Sequence, residues 1–311
     1  MNTLYTVLKA SLICLLFAYP LSSLAQYTGT GSVTQGVATT VTPNLYECTG
    51  GRKGGIGTIT ATDKTVWTVP AVVNYTDFKF PFASDLYNEC KGLLYPSAGS
   101  ALSKLDGSDL ITIDADGQVV TGFIFADNYF EIYVNGKAVG KDNVPYTQFN
   151  SNIVRFRVKM PFTIAMHLVD WEENLGIGTE AMGNTQHHDG DGGMVGIFYD
   201  ENVPPNILAT TGSDWKAQTF YTAPIIDLSC PTENGSLRLS DKCSTEDSND
   251  GSKYYALHWT VPPTWMNKEF DDSNWPSATT YANSLVGVDN KKAYTNFMAQ
   301  FDNPSNDAQF I

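Results

Sequence analysis

One segment, residues 126–140 (ADNYFEIYVNGKAVG), constrains the fold more than any other part of the chain. Alternation with a period of two is the pattern of a β-strand, because successive side chains point to opposite faces of the sheet. Two sets of side chains alternate in this way: Tyr129, Glu131 and Tyr133 against Phe130, Ile132 and Val134. The strand runs into Asn135-Gly136, the dipeptide that best accepts positive φ at both central positions of a type I′ turn. The sequence therefore predicts a β-hairpin here.

Strand-like segments separated by turn residues recur through the rest of the chain. They are residues 57–62, 65–69, 110–113, 118–126, 153–160, 163–170, 194–199 and 206–210. Only residues 98–105 have the pattern of a short helix, and residues 286–311 are predicted to be polar loop. Many short strands at close spacing favour an all-β fold, a β-sandwich or jelly roll, over alternating strands and helices.

Three phrases carry a family resemblance: ADNYFEIYVNG, TTGSDWKAQTFYTAP at 210–224, and FDDSNWPSA at 270–278. In this order they resemble the galactose-binding-like jelly-roll modules that accompany many secreted glycoside hydrolases, over residues 108–285. The resemblance implies that Trp275 packs on the edge of the sandwich and that Asp271 and Asp272 form a turn. It implies no particular ligand, because such modules bind sugars, lipid head groups or proteins, or serve only as packing.

The chain is predicted to have three parts. Residues 1–25 resemble a secretory signal peptide, with Lys9 before an apolar run and small residues at Ser23 and Ala25, so cleavage is expected before Gln26. Residues 26–100 are predicted to form a small disulfide-bearing β-rich region, and residues 101–311 the galactose-binding-like sandwich, with insertions at 171–191 and 230–255. The protein is thus expected to be secreted, to an extracellular, periplasmic or cell-surface location.

Four cysteines follow the predicted signal peptide: Cys48, Cys90, Cys230 and Cys243. An even number in an exported chain predicts disulfides, and four cysteines allow three pairings. The pairing Cys230–Cys243 is favoured because the loop between them is polar and rich in turn residues, and closing it contributes about 3 kcal/mol. Cys48–Cys90 then follows by elimination.

The charge of the chain limits its partners. It has 33 acidic and 19 basic residues, a formal net charge of −14. Such a chain is not expected to bind nucleic acid or anionic lipid. After the signal peptide no apolar run approaches the length of about 18 residues that crosses a bilayer, so membrane insertion is not expected.

Residues 167–194 gather three of the four histidines together with several carboxylates. Carboxylate oxygens are ligands for calcium, and Asp170, Asp189 and Asp191 are the candidates for such a site. Imidazole nitrogens suit copper, and His187 and His188 are the candidates for that metal. Calcium is the favoured cofactor of the two.

Aromatic side chains stack on the apolar faces of sugar rings, so the same region also predicts a binding site. Trp171 lies among charged residues beside the insertion, and it is the leading candidate. The predicted ligand-binding residues are Trp171, Glu172, Glu173, Tyr129 and Trp215. Asn74 and Asn234 begin acceptor patterns for N-linked glycans.

The chain lacks the Gly-x-Ser-x-Gly and His-Glu-x-x-His motifs, which favours a non-catalytic role. The sequence therefore predicts a secreted binding protein that recognises a glycan or another extracellular matrix component, with a structural calcium ion. One alternative is an extracellular structural subunit that self-associates through its sheet edges into a surface layer or fibre. A second alternative is an extracellular copper-binding protein.

Overall fold

The computed structural model describes residues 26–182, 185–187, 192–240, 242–244, 251–301 and 308–311, with side chains except at 180–182 and 185–187. The strands are β1 (Ser32–Gln35), β2 (Thr39–Thr42), β3 (Ile56–Thr60), β4 (Val66–Val69), β5 (Ser84–Asn88), β6 (Leu93–Leu94), β7 (Leu110–Thr112), β8 (Gln118–Asp127), β9 (Tyr129–Val134), β10 (Lys137–Lys141), β11 (Asn150–Val158), β12 (Ile164–Val169), β13 (Glu180–Met182), β14 (Thr185–His187), β15 (Gly193–Asp200), β16 (Ile207–Thr210), β17 (Tyr221–Ile225), β18 (Thr232–Asn234), β19 (Leu237–Leu239) and β20 (Tyr255–His258).

Helices are short: α1 (Ala98–Leu102), α2 (Glu173–Gly176), α3 (Asn283–Val286), α4 (Lys292–Thr295) and α5 (Met298–Phe301). Two 3₁₀ turns cover Gly107–Asp109 and Val288–Asn290. None of the described helices combines the length and the hydropathy of a membrane span.

Two sheets form a sandwich, which confirms the all-β prediction. The larger sheet has seven strands in the order β16-β15-β8-β11-β5-β6, with β7 beside β11, and the smaller has the order β10-β9-β12. Their facing sides share one core, in which Ile124 and Phe156 of the large sheet meet Phe130 and Ile132 of the small one. The strand predicted around residue 130 thus buries its aliphatic side in the sandwich, as a period-two strand does.

The predicted hairpin is confirmed. Strand β9 pairs with β10 in antiparallel register, with Val134 opposite Lys137. Asn135 and Gly136 have φ values of 49° and 78°. Both values are positive, as a type I′ turn requires.

The outer side of the large sheet carries a second core, which corrects one prediction. Residues 286–311 were expected to be polar loop, but the described part of this stretch contains α4 and α5. It buries Tyr294, Phe297, Phe301 and Phe310 against Phe125 of β8. Strand β8 is consequently buried on both sides over most of its length.

Strand pairing crosses the predicted boundary near residue 100. Strand β5 pairs with β11 inside the large sheet, with Ile153 opposite Ser84. Strand β1 pairs with β20, with Val33 opposite Leu257. Residues 26–100 therefore contribute β1, β5 and β6 to sheets completed by residues much later in the chain, while β2, β3 and β4 form a three-stranded sheet within the region.

Both predicted disulfides are present, Cys48–Cys90 and Cys230–Cys243. The second closes the base of the hairpin β18–β19, within the predicted insertion at 230–255. The predicted insertion at 171–191 contains α2 and the hairpin β13–β14.

Candidate functional site

The candidate site is a notch at the edge of the large sheet. It lies where the strand paired with β11 changes from β5 to β7. Ile153 of β11 pairs with Ser84 of β5, and Arg155 of β11 pairs with Leu110 of β7. Val154 lies between the two pairings, and a small, shallow depression opens there.

The exposed surface of the notch is mainly polar. Ser84 and Asp109 contribute polar side chains, and the aliphatic side chains of Val139 and Val154 beneath them are almost fully buried. The Ser84 hydroxyl donates to Asp109 Oδ1 at 2.5 Å, and the Asp106 main-chain N–H donates to Asp109 Oδ2 at 2.8 Å. These bonds fix the Asp109 carboxylate without using all of its acceptor capacity, since two carboxylate oxygens offer about four lone-pair sites.

Arg155 of β11 lies beside the notch and forms an ion pair with Glu201. Its Nη2 lies 2.6 Å from Glu201 Oε1, and the arginine side chain is 22% exposed. Glu201 follows β15, on the opposite side of β11 from β5 and β7, so this bond directs the guanidinium across β8 and away from the notch.

Phe82 forms the aromatic wall of the notch, and its side chain is 41% exposed. The ring packs edge-on against Tyr75, with centroids 5.3 Å apart. It also lies 4.3 Å from the ammonium nitrogen of Lys141, within the range of a cation–π contact. Part of the ring is therefore exposed to solvent, and the rest packs against Tyr75 and Lys141.

Lys141 fixes the loop at residues 74–82 that carries Phe82. It is fully buried, and its Nζ donates to the main-chain carbonyl oxygens of Asn74, Tyr75 and Asp77 at 2.7, 2.8 and 2.8 Å. Three acceptors match the three hydrogens of an ammonium group. Burial lowers the pKa of Lys141, while the charges of Glu131 and Asp77 act to raise it.

Glu131 holds the same loop by accepting hydrogen bonds from Asn74. The buried carboxylate accepts from the Asn74 N–H at 2.5 Å and from Asn74 Nδ2 at 2.8 Å, and from the hydroxyls of Tyr129 and Tyr133, both at 3.1 Å. His167 Nδ1 lies 3.8 Å from Glu131 Oε2. Burial acts to raise the pKa of Glu131, but His167 and the bonds from Asn74 outweigh it and lower the pKa to about 2.

The predicted binding residues Trp171, Tyr129 and Glu172 do not form an open site. The two rings are 0% exposed and Glu172 is 3% exposed. Trp171 and Tyr129 pack edge to face, 6.1 Å apart, in a core that also contains Tyr75 and Tyr146. The prediction that these side chains contact a ligand is wrong for this fold, because a fully buried ring has no free face for a sugar.

The remaining predicted binding residues lie apart from that core. Glu173 is 48% exposed and its Oε1 lies 3.1 Å from Arg52 Nη1. Trp215 is half-buried against the core of the sandwich, and its Nε1 donates to the Thr210 carbonyl at 2.8 Å. The structure does not bring Glu173 and Trp215 into one site with Trp171.

Most of the predicted metal ligands lie outside the described residues: His188, Asp189, Asp191 and the side chain of His187. Asp170 is described, and its Oδ2 accepts from the Gly192 N–H at 3.4 Å. The described part of the chain holds no group of three or more side chains that would bind a metal ion. Calcium and copper binding at this loop stay predictions.

The two predicted glycosylation sites differ in exposure. Asn234 is exposed at the end of β18. The Asn74 Nδ2, the atom that a glycan would modify, donates to buried Glu131 and to Tyr133. The structure therefore favours Asn234 and contradicts the prediction at Asn74.

Phe82, Asp109, Arg155 and Lys141 were not predicted from the sequence. One local signal was present, because Asp106-Gly-Ser-Asp109 has the spacing of a capping box, and the structure shows both capping bonds. It marks a turn and carries no information about a ligand. Comparison of the chain with protein-family profiles, with curated protein sequences and with solved structures finds no match, so the resemblance to galactose-binding-like modules stays a prediction and function must be argued from geometry.

Proposed function

We propose that this chain is an exported, non-catalytic β-sandwich protein that binds a glycan in the notch between β5 and β7. The observation that carries the proposal is the partly exposed ring of Phe82 beside the Asp109 carboxylate in the notch. A sugar ring has an apolar C–H face and a rim of hydroxyl groups, so it needs this combination of surfaces. The signal pattern and the two disulfides support export.

The side chains of the notch are ordered before a ligand arrives. Ser84 holds Asp109, and Lys141 holds Phe82. Binding then costs little side-chain entropy, which favours a small ligand with few contacts. The notch is small, so it would contact one end of a glycan rather than a long stretch of chain.

The same geometry supports binding over hydrolysis. Glycoside hydrolysis needs two carboxylates that face the bond to be broken. Asp109 is the carboxylate that lines the notch, and the nearby Asp106 accepts the N–H and the hydroxyl of Ser108 at 2.7 and 2.6 Å. One carboxylate is thus placed to recognise a hydroxyl, and the other caps a turn.

Glycan-array and polysaccharide pull-down measurements test the proposal. Phe82→Ala and Asp109→Asn are each expected to weaken binding at least about tenfold, because each removes one contact worth about 1.4 kcal/mol or more. Phe78→Ala is the matched control, since Phe78 lies in the same loop and is 92% exposed. Circular dichroism and thermal unfolding establish that each variant is folded.

Two outcomes would reject the proposal. One is that the wild-type protein binds no glycan on a broad array or in pull-downs with insoluble polysaccharides. The other is that it binds one and that folded Phe82→Ala, Asp109→Asn and Phe78→Ala all bind it as tightly as the wild type.

A further inference from the structure

The first described residues form an arm that is tied to the hairpin β18–β19. The Tyr27 hydroxyl donates to Glu233 Oε1, and the N–H and hydroxyl of Thr30 donate to the same carboxylate at 2.8 and 2.9 Å. Trp259 Nε1 donates to Glu233 Oε1 at 3.1 Å. We call these four residues, Tyr27, Thr30, Glu233 and Trp259, the N-terminal latch.

The arm packs closely, so the latch is specific to this stretch of chain. Tyr27 is only 8% exposed. A Cβ atom at Gly29 would collide with the Tyr27 hydroxyl and with Glu233. At Gly31 it would lie 2.8 Å from the Trp259 ring, closer than real Cβ contacts allow.

The predicted cleavage site is compatible with the latch. The small residues Ser23 and Ala25 predict signal cleavage before Gln26. The latch begins at Tyr27, so cleavage before Gln26 keeps every latch contact, whereas cleavage after Tyr27 would remove one of its donors. Gln26 itself is exposed.

We infer that the mature chain begins at Gln26 and that this residue closes to a pyroglutamate. The inference rests on the export that the proposed function includes. The α-nitrogen of Gln26 attacks its own side-chain Cδ, and the new N–Cδ bond forms as the Cδ–Nε2 bond breaks. Nε2 leaves as ammonia with a proton from the α-amino group, so no oxidant or co-reactant is needed. Because Gln26 is exposed, the five-membered ring forms without displacing a latch contact.

The closed ring protects the latch. It removes the basic α-amino group, which aminopeptidases require, from the residue next to Tyr27. An uncapped chain would lose Gln26 and then Tyr27, and the Glu233 carboxylate would lose one of its donors. Terminal residues are held only as well as their contacts allow, so a cap on the first residue preserves the order of the arm.

The test is to express the full 311-residue precursor in a secreting host and to measure the intact mass and the N-terminal peptide. The expected mass is that of residues 26–311 with both disulfides formed, less one ammonia. Gln26→Ser is the control, because serine has no side-chain amide to lose and should give an unmodified first residue. Aminopeptidase treatment should then shorten the Gln26→Ser protein and leave the wild type intact.

The outcomes separate this inference from the proposed function. An exported chain that starts at an open glutamine, or at another residue, overturns the pyroglutamate and leaves glycan binding to be judged on its own assay. A purified protein that retains residues 1–25 overturns both the inference and the proposed export. Equal resistance of wild type and Gln26→Ser to aminopeptidase overturns the protective role.

Discussion

Glu131 and Lys141 lie opposite each other across the β9–β10 pair. Both bind the same loop residue, Asn74, one at its donors and the other at its acceptor. Glu131 accepts from the N–H and side-chain amide of Asn74, and Lys141 donates to its carbonyl oxygen. Each buried charge is therefore matched by main-chain dipoles of opposite sign. Together the two residues form a clamp on the loop at 74–82, and the loop places Phe82 at the notch.

Replacing Lys141 by methionine should release this clamp. Three carbonyl oxygens, of which that of Tyr75 is buried, would lose their donor, so the free energy of unfolding should fall by about 3 kcal/mol or more. Glycan binding should weaken with it, because Phe82 loses the ammonium behind its ring. Urea unfolding measures the first effect, and exposed Lys137→Met is the control. Equal midpoints for the two variants would contradict the clamp.

Glu131 should make the free energy of unfolding decrease as the pH falls into the acid range. Its pKa in the folded protein is lowered to about 2, so the stability it contributes is present above its ordinary pKa of about 4.5 and is lost as the pH falls through that interval. This contribution is about 3 kcal/mol near neutral pH. In Glu131→Gln that acid-dependent loss should disappear, and the protein should be less stable at neutral pH. Urea unfolding at several pH values measures it, with exposed Glu269→Gln as control; parallel curves for wild type and Glu131→Gln would refute the assignment.

Asp142 should have the opposite effect on the pH dependence, so that the free energy of unfolding decreases as the pH rises. It is 0% exposed, and among the described residues its Oδ2 has no hydrogen-bond partner. Burial raises its pKa to about 8, so its favourable contribution is present below its ordinary pKa and is lost as the pH rises towards 8.

Asp142→Asn should remove that loss and stabilise the protein by a few kcal/mol at about pH 8. Its carbonyl oxygen would still accept from the Val144 N–H and from Asn150. The measurement is denaturant unfolding between about pH 4 and pH 8, with exposed Asp116→Asn alongside. A variant as pH-sensitive as the wild type would show that Asp142 is ionised in the folded protein.

The two disulfides should differ in their contribution. They join cysteines 42 and 13 residues apart, for Cys48–Cys90 and Cys230–Cys243 respectively. Restriction of the unfolded chain then contributes about 4 and about 3 kcal/mol. Paired Cys→Ser variants should unfold in this order of stability loss on thermal or urea denaturation. Loss of the second bridge should also loosen the N-terminal latch, since it closes the hairpin that carries Glu233; the reverse order would contradict the loop-length argument.

Expression in a glycosylating host should place a glycan on Asn234 of the folded protein. Its side chain is exposed, whereas the Asn74 amide is bonded to buried Glu131. Ser236→Ala removes the acceptor pattern without changing Asn234, and it should remove the glycan mass. Glycopeptide mass spectrometry reads the result, and a glycan on the peptide that contains Asn74 would contradict it.

Local patterns predicted the local structure well. The hairpin at Asn135-Gly136 was predictable because positive φ at two adjacent residues is a property of the dipeptide itself. The C-terminal stretch was missed because its helices have four residues each, too short to show a helical period. Tyr294 and Phe301 are buried there by the face of β8, a partner that no neighbouring residue reveals.

The site was not predictable in the same way. Trp171 sits among charged residues in the sequence, but Tyr75 and Tyr146 enclose it from distant parts of the chain. Phe82, Asp109 and Arg155 come from three separate segments that meet only because β11 takes β5 and then β7 as its neighbour. Long-range pairing of this kind leaves no periodic signal in any one segment.

The pairing of β1 with β20 has a consequence for how the chain is made. The sheet β1-β20-β17 cannot form until His258 has been synthesised, so the nascent chain carries an unsatisfied β1 edge through most of its translation. Contacts between such distant residues slow folding and lengthen the exposure of strand edges to aggregation.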